Sequence, residues 1–269
     1  MTTLDVPPST ADRISELLLS FKLPTMAAQL VQRCVDAGHG DALGTLLEAL
    51  EAELGERSQR RCERLLRASK LPPGKTFATL KEQRLPRKLA HQIRDVAAGR
   101  FLDDASNVLC FGLPGRGKSH VAAAIGHALV ERGRSVLFTP TFRLVQELLA
   151  AKRDLALPRA LQKLDGFELL ILDDIGYVQQ SAEEVEVLFT LMAERYERRS
   201  LLITSNLMFG EWDRIFKNPM TTAAAIDRLI HHSIVLEFGG KSVRAEEFEQ
   251  ATKEQPTRDP IPPVPTNTR

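Results

Sequence analysis

Residues 107–131 leave little freedom in what this chain can fold into. Asn107-Val-Leu-Cys-Phe111 is an apolar run of strand character, and Gly112-Leu-Pro-Gly115-Arg-Gly117-Lys118-Ser119 follows it at once. His120-Val-Ala-Ala-Ala-Ile-Gly-His-Ala-Leu129 then continues as a helix. The spacing G-x-x-x-x-G-K-S is that of a phosphate-binding loop. Gly112, Gly115 and Gly117 can take backbone angles that a Cβ forbids, which turns successive N–H groups toward one centre. The helix opening near Lys118 aims the positive end of its dipole at the same point. Lys118 is then placed to reach the β- and γ-phosphates, and the Ser119 hydroxyl to ligate Mg²⁺. A merely structural Gly-rich turn would need neither the strand before it nor the helix after it. The stretch predicts an ATP-type site built from Gly112, Pro114, Gly115, Arg116, Gly117, Lys118, Ser119 and His120.

At 269 residues and 43% hydrophobic content, the chain can bury a real core in one large domain or two small ones. Its net charge of +1 hides an asymmetry. Residues 1–55 carry three Lys/Arg against eight Asp/Glu, whereas residues 56–100 carry thirteen against four. A basic block confined to one stretch suggests a polyanionic partner for that stretch. Cys34, Cys62 and Cys110 are scattered without a C-x-x-C pair, which disfavours a disulfide framework or a zinc site and suits a reducing cytosol. Met1-Thr-Thr-Leu-Asp-Val-Pro-Pro8 lacks the charged flank and apolar core of a secretion signal, and no apolar run reaches the length of a membrane span. A cytoplasmic protein without membrane contact is expected.

Residues 10–52 read as a small helical bundle with 3.6-residue apolar stripes. From Glu56 to Lys70, Arg57, Arg60, Arg61, Arg64 and Arg67 fall on one side of a helix, with Lys70 at its end. A charge run of this kind is ordinarily a solvated face. Only Glu63 interrupts the arginines, so intrahelical ion pairs are not expected to absorb them. Beside a nucleotide-binding module, guanidinium forks suit the phosphates of duplex DNA. Leu71-Pro-Pro-Gly74 ends this helix, giving a helical domain over residues 1–74. A second basic helix is expected from Leu85 to Arg94.

Beyond the loop, strands alternate with helices, which predicts an α/β domain over residues 75–252 with a parallel sheet flanked by helices. On the helix expected over 141–153, Phe142, Leu144, Val145, Leu148 and Leu149 form the buried side. Residues 253–269 include five prolines and should be disordered.

Glu168-Leu-Leu-Ile-Leu-Asp173-Asp174 is a strand buried on both faces that ends in two acids, fifty-five positions after Lys118. Such acids are costly without a cation or water to meet them. Asp173 is expected to hold Mg²⁺, directly or through water, and Asp174 to orient or deprotonate the attacking water. The alternative is a helix-capping acid pair. Asn206 ends the next buried strand, Ser200-Leu-Leu-Ile-Thr-Ser-Asn206. It is either a turn former or, coming after this motif pair, a group that holds the lytic water or a γ-phosphate oxygen.

In this order and spacing, Gly112–Ser119, Leu169–Asp174 and Leu202–Asn206 resemble an AAA+ P-loop NTPase core. Leu169-Leu-Ile-Leu-Asp-Asp-Ile-Gly176, Ile203-Thr-Ser-Asn206 and Ala225-Ile-Asp-Arg228-Leu-Ile-His-His-Ser233 resemble the IstB-like ATP-binding proteins. These are helper proteins of two-gene insertion sequences and relatives of DnaC-type helicase loaders. The resemblance covers most of the chain. It implies an ATPase that forms a homo-oligomer on duplex DNA, with ATP between subunits, and recruits or stimulates a transposase. It also implies that Arg228 is the arginine finger toward a neighbour's γ-phosphate. From the residues alone, Arg228 can equally pair near Asp227 or with a helix C-terminus. Arg244 is a candidate second sensor. Two departures stand out: too few residues follow the last strand for a full C-terminal lid, and Arg116 replaces a small polar residue. The Arg116 side chain is expected to point into solvent.

Two further functions fit the loop. A helicase loader would grip a helicase with its N-terminal segment and meet single-stranded DNA, for which the helix from Arg57 to Lys70 is less suited. A small-molecule kinase would need a substrate pocket and an arginine-bearing lid, and Asp173, Asp174 and Asn206 favour water as the acceptor.

Overall fold

A computed structural model describes residues 9–177, 181–212, 226–227, 229–230 and 233–239, together with Ala223. The chain divides into two compact units, Met1–Arg67 and Ala68–Arg269.

The first unit holds α1 (Thr10–Ser20), α2 (Pro24–Asp36) and most of α3 (Leu43–Ser69). Ser9 starts α1 with a capping box: its hydroxyl accepts from the Asp12 N–H, and the Asp12 carboxylate accepts from the Ser9 N–H. Ile14, Leu17 and Leu18 form its buried stripe. The two helical stretches read separately in the sequence are one 27-residue helix. It runs through Gly55, because a lone glycine costs only about 1 kcal/mol against alanine and no proline intervenes before Pro72.

The arginine run needs a correction. Arg57 meets Glu53 at 2.6 Å and lies over the Phe21 ring, and Arg60 meets Glu56 at 2.5 Å. The partners stand one turn upstream of the run, in the Glu-to-Arg i, i+4 order that favours a helix. Such exposed pairs are weak. Arg57, Arg60, Arg61, Arg64 and Arg67 all remain solvent-exposed.

The second unit contains α4 (Arg87–Ala97), β1 (Asn107–Phe111), α5 (Lys118–Glu131), β2 (Val136–Pro140), α6 (Thr141–Arg153) and α7 (Leu157–Asp165). It continues with β3 (Leu169–Asp173), α8 (Ala182–Arg195), β4 (Ser200–Ser205) and β5 (Ser233–Glu237). The strands form one parallel sheet in the order β2-β3-β4-β1-β5. Continuous apolar runs suit it, and every residue of β1 and β4 is buried. The crossover through α5 carries the chain to the edge, and β3 and β4 then fill back toward β1. The end of β4 therefore stands between the loop after β1 and the acids after β3.

Phe142 is 54% exposed rather than buried, since it lies in the first turn of α6, ahead of the packed stripe. Arg195 is 2% exposed, and its guanidinium donates to the carbonyls of Leu164, Phe167, Glu168 and Ser200. It fastens the end of α7 to the starts of β3 and β4. No helix among the described residues is long and apolar enough to cross a membrane. Arg228, Arg244, the stretch after the last strand, where no full lid is expected, and the proline-rich tail lie outside the described residues.

Candidate nucleotide site

The loop leaves β1 at Phe111 and enters α5 at Lys118. Gly112 has φ +151°, and a Cβ there would fall 2.5 Å from the Phe238 carbonyl oxygen. The approach is this close because the Phe238 N–H donates to the Phe111 carbonyl at 2.7 Å, at the end of β5. Leu113 and Pro114 are exposed at the crest of the loop. Gly117 occupies the N-cap of α5 without a side-chain cap, which suits an anion at the first amides of the helix.

Lys118 is only 8% exposed, and its ammonium donates to the carbonyls of Gly112 at 2.5 Å and Leu113 at 3.0 Å. Burial pushes its pKa down, while Asp174 and Asp173 pull it back up. The lysine and both acids therefore share one electrostatic site. Arg116 departs from expectation: it is half-buried and donates to the Phe238 carbonyl at 3.0 Å instead of reaching into solvent. The carbonyl at the end of β5 lies within its reach for the same reason that Gly112 can tolerate no side chain.

At the end of β3, the register sets Leu172 beside Ile203, so Asp173 falls next to Thr204. The Thr204 hydroxyl donates to Asp173 Oδ1 at 2.7 Å and accepts the Asp174 N–H at 2.8 Å. Thr141, just after β2, donates to the Asp173 carbonyl at 3.0 Å. Asp174 has φ +65°, a left-handed conformation that is uncommon for a non-glycine residue and collects at functional sites. Asn206 follows β4, and its buried Oδ1 has no hydrogen-bond partner. It rests against Gly176, where a Cβ would collide with it.

The ring of His120 turns toward the connector ahead of α4. Its Nε2 lies 3.1 Å from the Thr76 carbonyl and 3.2 Å from Thr79 Oγ1. His127 Nε2 lies 3.2 Å from the Pro72 carbonyl, and Leu71 fills the space over Gly126. The connector is thus fixed at three points along the nucleotide-loop helix, and only the backbone N–H of His120 belongs to the first turn facing the loop. Sequence reasoning singled out Lys118, Ser119, Asp173, Asp174 and Asn206 but not Thr204, Thr141 or Gly176. The usable signal for Thr204 was a polar residue near the end of an otherwise apolar strand.

The strand order, the phosphate loop after the interior strand β1, and the acid pair on β3 across the intervening polar end of β4 define an AAA+ P-loop ATPase fold. The chain belongs to the IstB-like ATP-binding protein family, whose pattern matches residues 15–251. An insertion-sequence ATP-binding protein of Sinorhizobium fredii is 45% identical over 244 residues, covering 90% of this chain and 82% of the relative. An ATP-binding protein of insertion sequence IS21 from Pseudomonas aeruginosa is 38% identical over 206 residues, covering 77% and 78%. Among solved structures, DnaI matches with a TM-score of 0.53 at 19% identity, covering 64% of this chain and 96% of that one. AMPPCP-bound DnaA of Aquifex aeolicus matches with a TM-score of 0.53 at 15% identity, covering 70% and 57%. These two structural likenesses show the fold alone.

Proposed function

We propose that this protein is an ATP-switched helper of transposition that assembles on duplex DNA and brings a transposase to its target. The observation that carries the reading is the 45% identity, over nine-tenths of the chain, to a protein named for an insertion sequence. The geometry of the site supports the switch. When ATP enters, Lys118 exchanges the carbonyls of Gly112 and Leu113 for the β- and γ-phosphates. Ser119 and Asp173 would hold Mg²⁺, which neutralises charge developing on the phosphates. A hydroxyl and one carboxylate already steadied by Thr204 suit a cation that also takes phosphate oxygens and waters as ligands. Asp174 orients the attacking water and takes its proton. Asn206 Oδ1, a buried acceptor, is suited to receive the water's other hydrogen.

Hydrolysis then depends on assembly, with Arg228 of one subunit completing the site of the next. Arg57, Arg60, Arg61, Arg64, Arg67 and Lys70 meet duplex phosphates without reading sequence. Work on DNA of this kind is cytoplasmic.

The test is duplex-DNA binding by fluorescence anisotropy with ATP, with ADP and without nucleotide, over a salt series, with the same mixtures sized. ATP-dependent binding in large complexes that weakens steeply with salt is the expected result. Indifference to duplex DNA in every nucleotide state would overturn the reading. The search would then turn to a replicative helicase as partner.

A further inference from the structure

Both long cations of the phosphate loop fasten it near the point where β1 ends, and they do so by different routes. Lys118 closes the loop on itself, through the carbonyls of Gly112 and Leu113. Arg116 reaches out of the loop to the Phe238 carbonyl at 3.0 Å, one residue past the end of β5. That carbonyl is the atom packed closest to Gly112, and the N–H of the same residue donates to Phe111. Phe238 is itself buried. Its main chain is therefore a fixed abutment, bound to the residue before the loop and to one in the loop's middle.

The two anchors fare differently when a nucleotide arrives. Lys118 has to leave both carbonyls to meet the phosphates, and the loop then loses its internal tie. The ends of the loop stay held: the Gly112 N–H donates to the Ser205 carbonyl at 3.3 Å, and the Gly117 carbonyl accepts from Val121 at 2.9 Å in the first turn of α5. Between those ends, Leu113 and Pro114 are exposed, and Gly115 has φ +79°. A glycine-rich stretch has many conformations open to it, and ordering it on binding costs affinity unless something restrains it beforehand. The bond from Arg116 to Phe238 falls in that stretch, and a charged donor makes it stronger than a bond between neutral groups.

We infer that Arg116 is a positioning residue for the nucleotide: it braces the middle of the phosphate loop against the end of β5, so that the loop amides stay aimed at the phosphates while Lys118 changes partners. This role rests on the ATP-binding step of the function proposed above and adds a residue to it. It gives a use to the departure at this position, since a short side chain lacks the reach of a guanidinium. The last strand thereby enters the nucleotide site through its backbone. Because Arg116 acts through the loop and not on a phosphate, its loss should weaken ATP and ADP alike.

The test uses the full chain and fluorescent analogues of ATP and ADP. Arg116→Met keeps the apolar stem and removes the donor, whereas Arg116→Lys keeps a charged donor of similar reach. Arg116→Met should weaken both analogues by the same factor, about tenfold, the low end of what a hydrogen bond to a charged group is worth. Arg116→Lys should restore most of that affinity. The ATP concentration giving half-maximal hydrolysis should rise in step with the loss of affinity while the maximal rate holds, since the loop is ordered alike once nucleotide is bound. Melting without nucleotide should fall by a few degrees at most, because a loop can loosen while the sheet stays folded. A loss confined to ATP, or clearly larger for it than for ADP, would make Arg116 a partner of the γ-phosphate and overturn the inference. So would an Arg116→Met chain that binds both analogues like wild type, and in either case the ATP-binding reading stands. A wild-type chain that binds neither analogue would bring down that reading and the brace with it.

Discussion

One hydroxyl joins the two acids of the site: Thr204 donates to Asp173 at 2.7 Å and accepts from the backbone of Asp174 at 2.8 Å. It fixes the carboxylate rotamer of the first and the left-handed backbone of the second. Thr204→Val keeps the shape and removes both bonds. Steady-state hydrolysis should fall by about 10- to 100-fold, the usual effect of losing a group that orients a metal-binding carboxylate. Nucleotide affinity should stay within a few-fold, and Thr204→Ser should restore most of the rate. A valine variant with full turnover would show that the acids hold themselves.

Gly176 and Asn206 make a second such pair, through space rather than through a hydrogen bond. Gly176→Ala should push the Asn206 amide aside and slow hydrolysis as much as Asn206→Ala does, with ATP still bound. The double variant should be no slower than either single one, because both remove the same placement. Additive losses would separate the two residues.

Lys118→Ala should abolish nucleotide binding, measured with a fluorescent ATP analogue. Asp174→Ala should bind normally, fail to hydrolyse, and hold DNA complexes that wild type releases as ATP is consumed. Normal hydrolysis by Asp174→Ala would remove this acid from the role of base.

Cys110 lies fully buried in β1, and burial pushes its thiol up to about 12. A raised thiol pKa leaves about one molecule in ten thousand as thiolate at pH 8. A thiol reagent at that pH should titrate the half-buried Cys34 and Cys62 in the native protein and reach Cys110 only after unfolding. Since reactivity follows the deprotonated fraction, the rate at Cys110 should keep climbing about tenfold per pH unit toward pH 12 instead of levelling off. Rapid labelling of all three at pH 8 would place the β1 strand nearer solvent than described.

The loop, the acid pair and the buried strands were legible in the sequence because each is a contiguous string whose meaning depends on its neighbours in the chain. Thr204 was not, because its role exists only once β3 and β4 take their register and set it beside Asp173. The same holds for Arg116, whose acceptor at Phe238 is 122 residues away in the chain. The partners of Arg57 and Arg60 were within reach of the sequence but sat just upstream of the run, where a search confined to the run misses them. The helix α7 has nine residues and opens on Leu157-Pro158, too short for its periodicity to stand out.

Gly112 and Gly117 would look identical in any alanine scan that scores nucleotide binding, since each substitution should empty the site. They would fail for different reasons. At Gly117 only the backbone angle objects, as no atom lies within 4 Å of an added Cβ. At Gly112 the added carbon would prise β5 away from β1, so the lesion is in the sheet before it is in the cradle. Thermal melting without nucleotide would tell them apart: one variant is a sound protein that has lost its ligand, the other a sheet with its last strand loosened.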